Sequence, residues 1–241
     1  MFISFASTWY WFVLGAVVSY FIGCFNFAVL ISKIKHKDIR HEGSGNPGTM
    51  NMSRTFGLKI GLINFLCDAF KGIIPVLCGY LIFKGMYFEG TGFAVADFSR
   101  YLFGLFAVIG HIFPVTMKFK GGKGIATTLG VFTCGVSCEV AWFVPIAIAL
   151  LIGLVVYIYV FEWGSMASLI GVSSFTIWQG AIFFLRYQTA LQSAWVVVSF
   201  MILLAFNLLT WIAHHLNLYR LMGGEEHRTS IKKLAHKKRA Q

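Results

Sequence analysis

Apolar residues run almost unbroken over stretches long enough to cross a bilayer, which takes roughly 20 residues. They cover Trp9–Ser32, Gly57–Phe83, Phe98–Met117, Val140–Phe161, Met166–Leu185 and Ser193–Ala213, with a shorter run at Ile125–Cys138. The pattern predicts an all-α fold: a polytopic integral membrane helical bundle of about seven transmembrane helices. The short run, about 14 residues or ~21 Å at helical rise, either extends into the loop before it or is re-entrant. Polar residues gather between the runs. The stretch His41–Arg54 holds Gly, Asn, Ser and a Pro and reads as a loop of turns. Gly85–Asp97 and Arg186–Gln192 read as loops on the other side.

Composition agrees with a membrane protein. The chain has 241 residues, 58% hydrophobic and 17% aromatic, a balance rare in soluble domains. We expect one transmembrane domain over 1–226 and a basic cytoplasmic tail over 227–241. The first span has an uncharged N-terminal flank, with Lys33, Lys35, Lys37 and Arg40 after it. The positive-inside rule then puts the N-terminus outside and that flank in the cytoplasm. The tail, with Arg220, Arg228, Lys232, Lys233, Lys237, Lys238 and Arg239, also reads as cytoplasmic. No Lys or Arg precedes the first run, so no cleavable signal peptide is expected. The net charge of +11 is scattered between spans. It suits anionic lipid headgroups and anionic substrates, and excludes nucleic acid as a partner. The five cysteines lie in or beside apolar runs and read as small apolar fillers.

Seven spans with the N-terminus outside place three loops and the tail on one face. Each of those loops precedes a helix, so three helix N-termini point at that face, where their partial positive charges add to the cations. The densest cluster is Phe119-Lys120-Gly121-Gly122-Lys123-Gly124, with Ala126-Thr127 at the start of the next helix. Glycines allow tight turns that aim successive N–H groups at one spot, and such a loop feeding a helix is a ready phosphate site. It also fits a plain basic loop. No Ser or Thr follows Lys123, so it is not a Walker loop. No acids pair closely in the loops, so no metal site is expected, and no G-x-S-x-G elbow marks a serine nucleophile. Within the spans, Asp68 and Lys71 read as a structural ion pair, and His111 as hydrogen-bonded scaffolding. What remains is the binding and orienting of anionic groups.

The motifs resemble those of the bacterial acyl-phosphate:glycerol-3-phosphate acyltransferase family (PlsY). Gly43-Ser44-Gly45-Asn46-Pro47-Gly48, with Asn51 and Arg54, is similar to its first motif. The Lys/Gly loop resembles its second, and Ser165-Met166-Ala167-Ser168 its third. His214, Asn217, Arg220, Leu221 and Gly224 match the pattern after its last helix, though His215 and Leu216 replace the usual basic and acidic pair. The resemblance implies transfer of a fatty acyl group from acyl phosphate to glycerol 3-phosphate, giving lysophosphatidate and inorganic phosphate. It implies phospholipid biosynthesis in the bacterial cytoplasmic (inner) membrane, no cofactor, and the enzyme that makes acyl phosphate as a further partner. Residue roles follow from it. Ser44, Asn46, Gly48, Asn51 and Arg54 would hold one phosphate. Lys120, Gly121, Gly122, Lys123, Gly124 and Thr127 would hold the other, with Lys123 stabilising the departing charge. Ser165 and Ser168 are hydrogen-bond donors or small residues for helix packing. His214 and Asn217 would orient the glycerol hydroxyl, with His214 or a substrate phosphate oxygen taking its proton. Arg220 is a phosphate ligand or an interfacial anchor. The rival is an anion transporter or channel. It requires polar residues along the spans, whereas here they gather at one end, with Asp68, Lys71 and His111 as exceptions.

The charge asymmetry yields a topological prediction. Single cysteines at Thr49, Met166 and Ala235, in a cysteine-free background, should resist an impermeant thiol reagent on intact cells. Labelling at Met166 with protection at Thr49 would mean that the run at Ile125–Cys138 does not cross.

Overall fold

The structure is a computed structural model that describes residues 1–140, 142–226 and 228–231. Most of the basic tail, including Ala235, lies outside the described residues. In chain order the helices are α1 (Phe5–Cys24), α2 (Phe27–Ile34), α3 (Thr49–Phe56), α4 (Leu58–Phe83), α5 (Val95–Ile112), α6 (Ile125–Ser137), α7 (Phe143–Phe161), α8 (Gly164–Arg186), α9 (Ala194–Ala213) and α10 (His215–Met222). Six apolar segments are long enough to span: α1 with α2, then α4, α5 with the turn after it, α7, α8 and α9. The protein is an integral membrane helical bundle. At 13 residues α6 is about 20 Å long, short of the ~30 Å hydrocarbon layer. It is covered by its neighbours, with Val131, Phe132 and Val136 fully buried.

Two expected elements differ in detail. The first span breaks at Phe25-Asn26, where the Asn26 side chain caps α2 by accepting from the Val29 N–H at 3.0 Å. The break frees carbonyls at the end of α1. Lys71 donates to two of them, Gly23 at 3.2 Å and Phe25 at 2.8 Å, besides pairing with Asp68 at 3.1 Å. Lys71 is therefore a clamp across three segments and not merely half of an ion pair. In the first polar stretch, the turns end at Gly48, and Thr49–Phe56 is helix α3. The helix breakers stop at Gly48, and Gly57, at φ +89°, ends it.

Helix α5 is the centre of the bundle, packed against α1, α4, α6 and α9. Small residues let backbones touch. A Cβ on Gly110 of α5 would stand 2.1 Å from the Tyr20 carbonyl of α1, and one on Gly130 of α6 would stand 2.2 Å from the Ala69 carbonyl of α4. Large apolar side chains face outward on α1 and α7, as lipid contact requires.

One end of the bundle is held by a short parallel pair, β1 (Phe2–Ile3) with β2 (Tyr87–Phe88), and by stacking of Phe88 on Trp195 at 3.8 Å. A buried ionic network lies beneath it. Arg100 pairs with Asp97 at 3.0 Å and with Glu139, and Arg186 pairs with Asp97 at 2.8 Å and with Glu139. Gln179 donates to Glu139 at 2.8 Å and accepts from the Tyr101 hydroxyl at 2.7 Å. Arg186, in the expected loop Arg186–Gln192, and Arg100 are thus bolts joining α5, the end of α6 and α8. Removing one partner of such a pair leaves an unpaired buried charge, which typically costs about 3–5 kcal/mol.

Candidate active site

The opposite end gathers the polar segments. Residues from the stretch 44–54, the loop 119–124, the start of α8, and His214, Asn217, Arg220, Glu226, Thr229 and Ile231 line one cavity of about 1090 Å³. Every predicted site residue lies on its wall except Thr127, which is fully buried behind it with its hydroxyl 3.4 Å from His111 Nδ1.

The first stretch is shaped by one side chain. Asn51 Oδ1 accepts from the Ser44 N–H at 3.1 Å, and its Nδ2 donates to the carbonyls of Ile39 at 3.3 Å and Glu42 at 2.8 Å. Its amide is spent on folding the loop. Gly43, at φ +57°, passes so close that a Cβ would lie 2.3 Å from Asn51 Oδ1. Helices α3, α6 and α8 all start at this cavity without a side-chain cap. Their first N–H groups bring the positive ends of three helices to it.

The Lys/Gly loop works differently from its sequence reading. The N–H of Gly121 donates back to the Ile112 carbonyl at 3.0 Å, and that of Gly122 to the His111 carbonyl at 3.2 Å. These two donors are used in seating the loop on the end of α5. The glycines are required by proximity: a Cβ on Gly122 would lie 2.4 Å from His111 Nε2, and one on Gly121 would lie 2.1 Å from the His111 carbonyl. Among the described residues, none accepts from the N–H of Lys123 or Gly124. Those groups and the first turn of α6 are the backbone donors left for an anion.

Lys123 reaches into the cavity and donates to Asn217 Oδ1. Burial lowers its pKa to about 8; Arg220 and Arg54 push the same way, and Glu226 opposes them. His214 is 2% exposed. Burial first, then the Lys123 charge, lowers its pKa to about 4, so it is neutral at pH 7. Its Nδ1 lies 2.9 Å from the Thr210 carbonyl. A carbonyl only accepts, so the Nδ1 bears the hydrogen and Nε2 keeps a lone pair. The Ser168 hydroxyl donates to the Gly164 carbonyl at 2.8 Å, which satisfies it within its own helix.

Sequence reasoning missed Glu226 and Thr229. Glu226 accepts from Asn217 at 2.6 Å and from Arg220 at 3.1 Å, and Thr229 Oγ1 accepts from Arg54 at 3.3 Å. The Thr229 N–H also donates to the Glu162 carbonyl at 2.7 Å, drawing the chain after α10 across the cavity. No local pattern marks these contacts. Below the polar groups the wall turns apolar: Leu58, Leu62 and Phe65 from α4, Leu129 from α6, and Ile148 and Ile152 from α7.

The family described as glycerol-3-phosphate acyltransferase matches residues 13–224. A glycerol-3-phosphate acyltransferase of Mycoplasma pneumoniae is 34% identical, aligning 90% of this chain with 94% of its own length. One from Pseudothermotoga lettingae is also 34% identical, over 94% of this chain and 98% of its own. Among solved structures, the glycerol 3-phosphate form of PlsY, an integral membrane glycerol 3-phosphate acyltransferase, superposes with a TM-score of 0.72. It is 28% identical and covers 93% of this chain and 98% of its own. Its lysophosphatidic acid form gives 0.70 at 27% identity.

The seating of the loop gives a mutational prediction. Gly122→Ala forces the loop off His111, and misplacement of about 1 Å at such a site costs on the order of a hundredfold in turnover. Gly122 is buried against His111, so thermal unfolding in detergent should also shift downward, and turnover is read at a temperature where the variant stays folded. Unchanged turnover in a steady-state assay would show that the loop does not position reacting groups.

Proposed function

The chain belongs to the glycerol-3-phosphate acyltransferase family, and from that premise we propose that its acyl donor is an acyl phosphate bound at the cytoplasmic end of the bundle. The enzyme is an integral membrane glycerol-3-phosphate acyltransferase. The observation that carries the donor reading is the two-sided cavity, in which cations and uncapped helix starts adjoin the apolar wall of α4, α6 and α7. An acyl phosphate has that same division, a dianionic head on a hydrocarbon chain. Its phosphate is a good leaving group, so the step needs orientation and charge stabilisation more than acid–base help. The glycerol hydroxyl oxygen attacks the acyl carbon, the bond from that carbon to the phosphate oxygen breaks, and lysophosphatidate and inorganic phosphate form.

We assign the roles as follows. Arg54, with Ser44, Asn46 and the start of α3 at Gly48, holds one phosphate. Lys120, Lys123 and the N–H groups of Lys123 and Gly124 hold the other. Gly121 and Gly122 act by letting the loop sit on α5. Asn217 and neutral His214 orient the hydroxyl, and His214 Nε2 or a substrate phosphate oxygen accepts its proton. Ser165, at the start of α8, faces the same anions, and Arg220 completes the cationic rim. The setting is phospholipid biosynthesis in the bacterial cytoplasmic membrane, with the charge asymmetry of the loops supporting a cytoplasmic site. The enzyme that makes the acyl phosphate is the expected partner.

Purified protein with acyl phosphate and glycerol 3-phosphate should release lysophosphatidate and inorganic phosphate. Robust turnover with acyl-coenzyme A and none with acyl phosphate would reject the donor.

Lys123 carries the sharpest prediction. Charge builds on the phosphate as it departs, so the ammonium contact strengthens in the transition state and its loss lowers kcat. Lys123→Ala should cost on the order of 3–4 kcal/mol, a hundredfold or more in kcat. Lys123→Arg should restore only part of it, because a planar guanidinium is not a point charge. Steady-state kinetics on correctly oriented protein decides the matter: a near-normal kcat for Lys123→Ala removes the residue from the chemistry.

A further inference from the structure

An anion site rarely benefits from a carboxylate, yet two face this cavity among the described residues. Asp68, on α4, is paired with Lys71. Glu226 is different, because its oxygens meet two residues of the proposed catalytic set. One accepts from Asn217 Nδ2 at 2.6 Å and the other from Arg220 Nε at 3.1 Å. Because Nδ2 of Asn217 is committed to Glu226, its Oδ1 is turned toward Lys123, from which it accepts. With both hydrogen bonds in place the amide has one orientation. Without Glu226 it could flip and set two donors, its own N–H and the lysine ammonium, against each other.

We propose that Glu226 is a positioning residue of the acyl transfer: its carboxylate locks the Asn217 amide so that the amide oxygen holds the Lys123 ammonium at the departing phosphate. The proposal rests on the role given above to Lys123. Electrostatics points the same way. Burial, Arg220 and Arg54 all favour the neutral amine of Lys123, and Glu226 acts against them. Its own carboxyl is pushed up by burial, but the hydrogen bonds from Asn217 and Arg220, with the Arg220 charge, bring it below the usual range. It therefore stays ionised wherever the enzyme works. The other titratable groups lining the cavity are His214 at the end of α9, Lys120 on the loop, and Asp68 and His111 at its floor. His214 is neutral above pH 5, so it adds no charge in the range where Lys123 titrates.

The sign is fixed by the chemistry. Lys123 is a cation below its pKa, so kcat/KM falls as pH rises through it. Glu226→Gln keeps the shape but removes the charge. It should move the basic limb of kcat/KM down by about half a pH unit or more, so that activity falls about threefold further near pH 9 than near pH 6.5. Glu226→Asp, which keeps the charge, should restore most of the limb's position. Arg220→Gln removes a cation that opposes Lys123 and should move the limb up. A second readout is competitive labelling of Lys123 with an amine reagent across pH, followed by mass spectrometry of its peptide. It should report the same opposite shifts in folded, monodisperse protein. If Glu226→Gln does not fold, Glu226→Ala read by the labelling in folded, monodisperse protein still decides: an unmoved Lys123 titration overturns the proposal. Uniform loss in Glu226→Gln with an unmoved limb would make Glu226 a scaffold residue only. A lower KM for glycerol 3-phosphate would make it a placeholder that substrate displaces. A normal kcat for Lys123→Ala would instead overturn the role of Lys123, whatever Glu226 does.

Discussion

Unneutralised positive charge at one end of the bundle is the constraint on which the site depends. Three helices start there with no side chain to cap them, and Arg54, Lys120, Lys123 and Arg220 line the same cavity. In a low-dielectric setting such charge is costly unless something answers it. Among the described residues the answers are few: Thr229 on Arg54, Asn217 on Lys123 and Glu226 on Arg220. The lowered pKa of Lys123 records how far burial has raised the cost of its charge. A phosphate dianion would offer what these groups lack, and on the proposed reading binding and chemistry share one set of groups.

The same arrangement accounts for the apolar wall beside it. Helix α7 exposes most of its surface, and the cavity runs along it and α4 toward lipid-facing positions. A hydrocarbon chain placed there stays in a medium like the bilayer while its head remains among the cations. On the proposed reading the second substrate is small and charged and reaches the polar mouth from water, so that one cavity would serve two substrates of opposite solubility.

Holding such a site still is the task of the rest of the bundle. The Arg100–Asp97–Glu139–Arg186 network fixes α5, α6 and α8 at the far end, and Lys71 with Asp68 fixes the broken first span against α4. Helix α5 links these devices to the site, because the Lys/Gly loop hangs from its last carbonyls at His111 and Ile112. These buried pairs gain little stability over a well-packed apolar core, but each permits only one arrangement of its helices.

Long apolar runs, loop charges and glycine-rich segments were enough to establish a membrane bundle and its polar loops, and the resemblance supplied polar residues of which all but Thr127 line the cavity, while the apolar wall, Glu226 and Thr229 were not foreseen. Those signals are local: hydropathy is summed along the chain, and Gly, Lys and Asn mark turns and anion binding wherever they occur together. Convergence of the loops was expected from the parity of seven spans, but six segments are long enough to cross and α6 is not, so it is the packing that brings these loops to one cavity. Partnership was decided by the tertiary structure. The sequence does not tell that Asn51 spends its amide on its own loop, that Gly121 and Gly122 turn their N–H groups toward α5, or that Arg100 is buried against Glu139. Nor does it tell that Glu226 reaches the site through Asn217. A hydrogen bond depends on distances of a few tenths of an ångström between residues far apart in sequence, and only the packed helices set those distances.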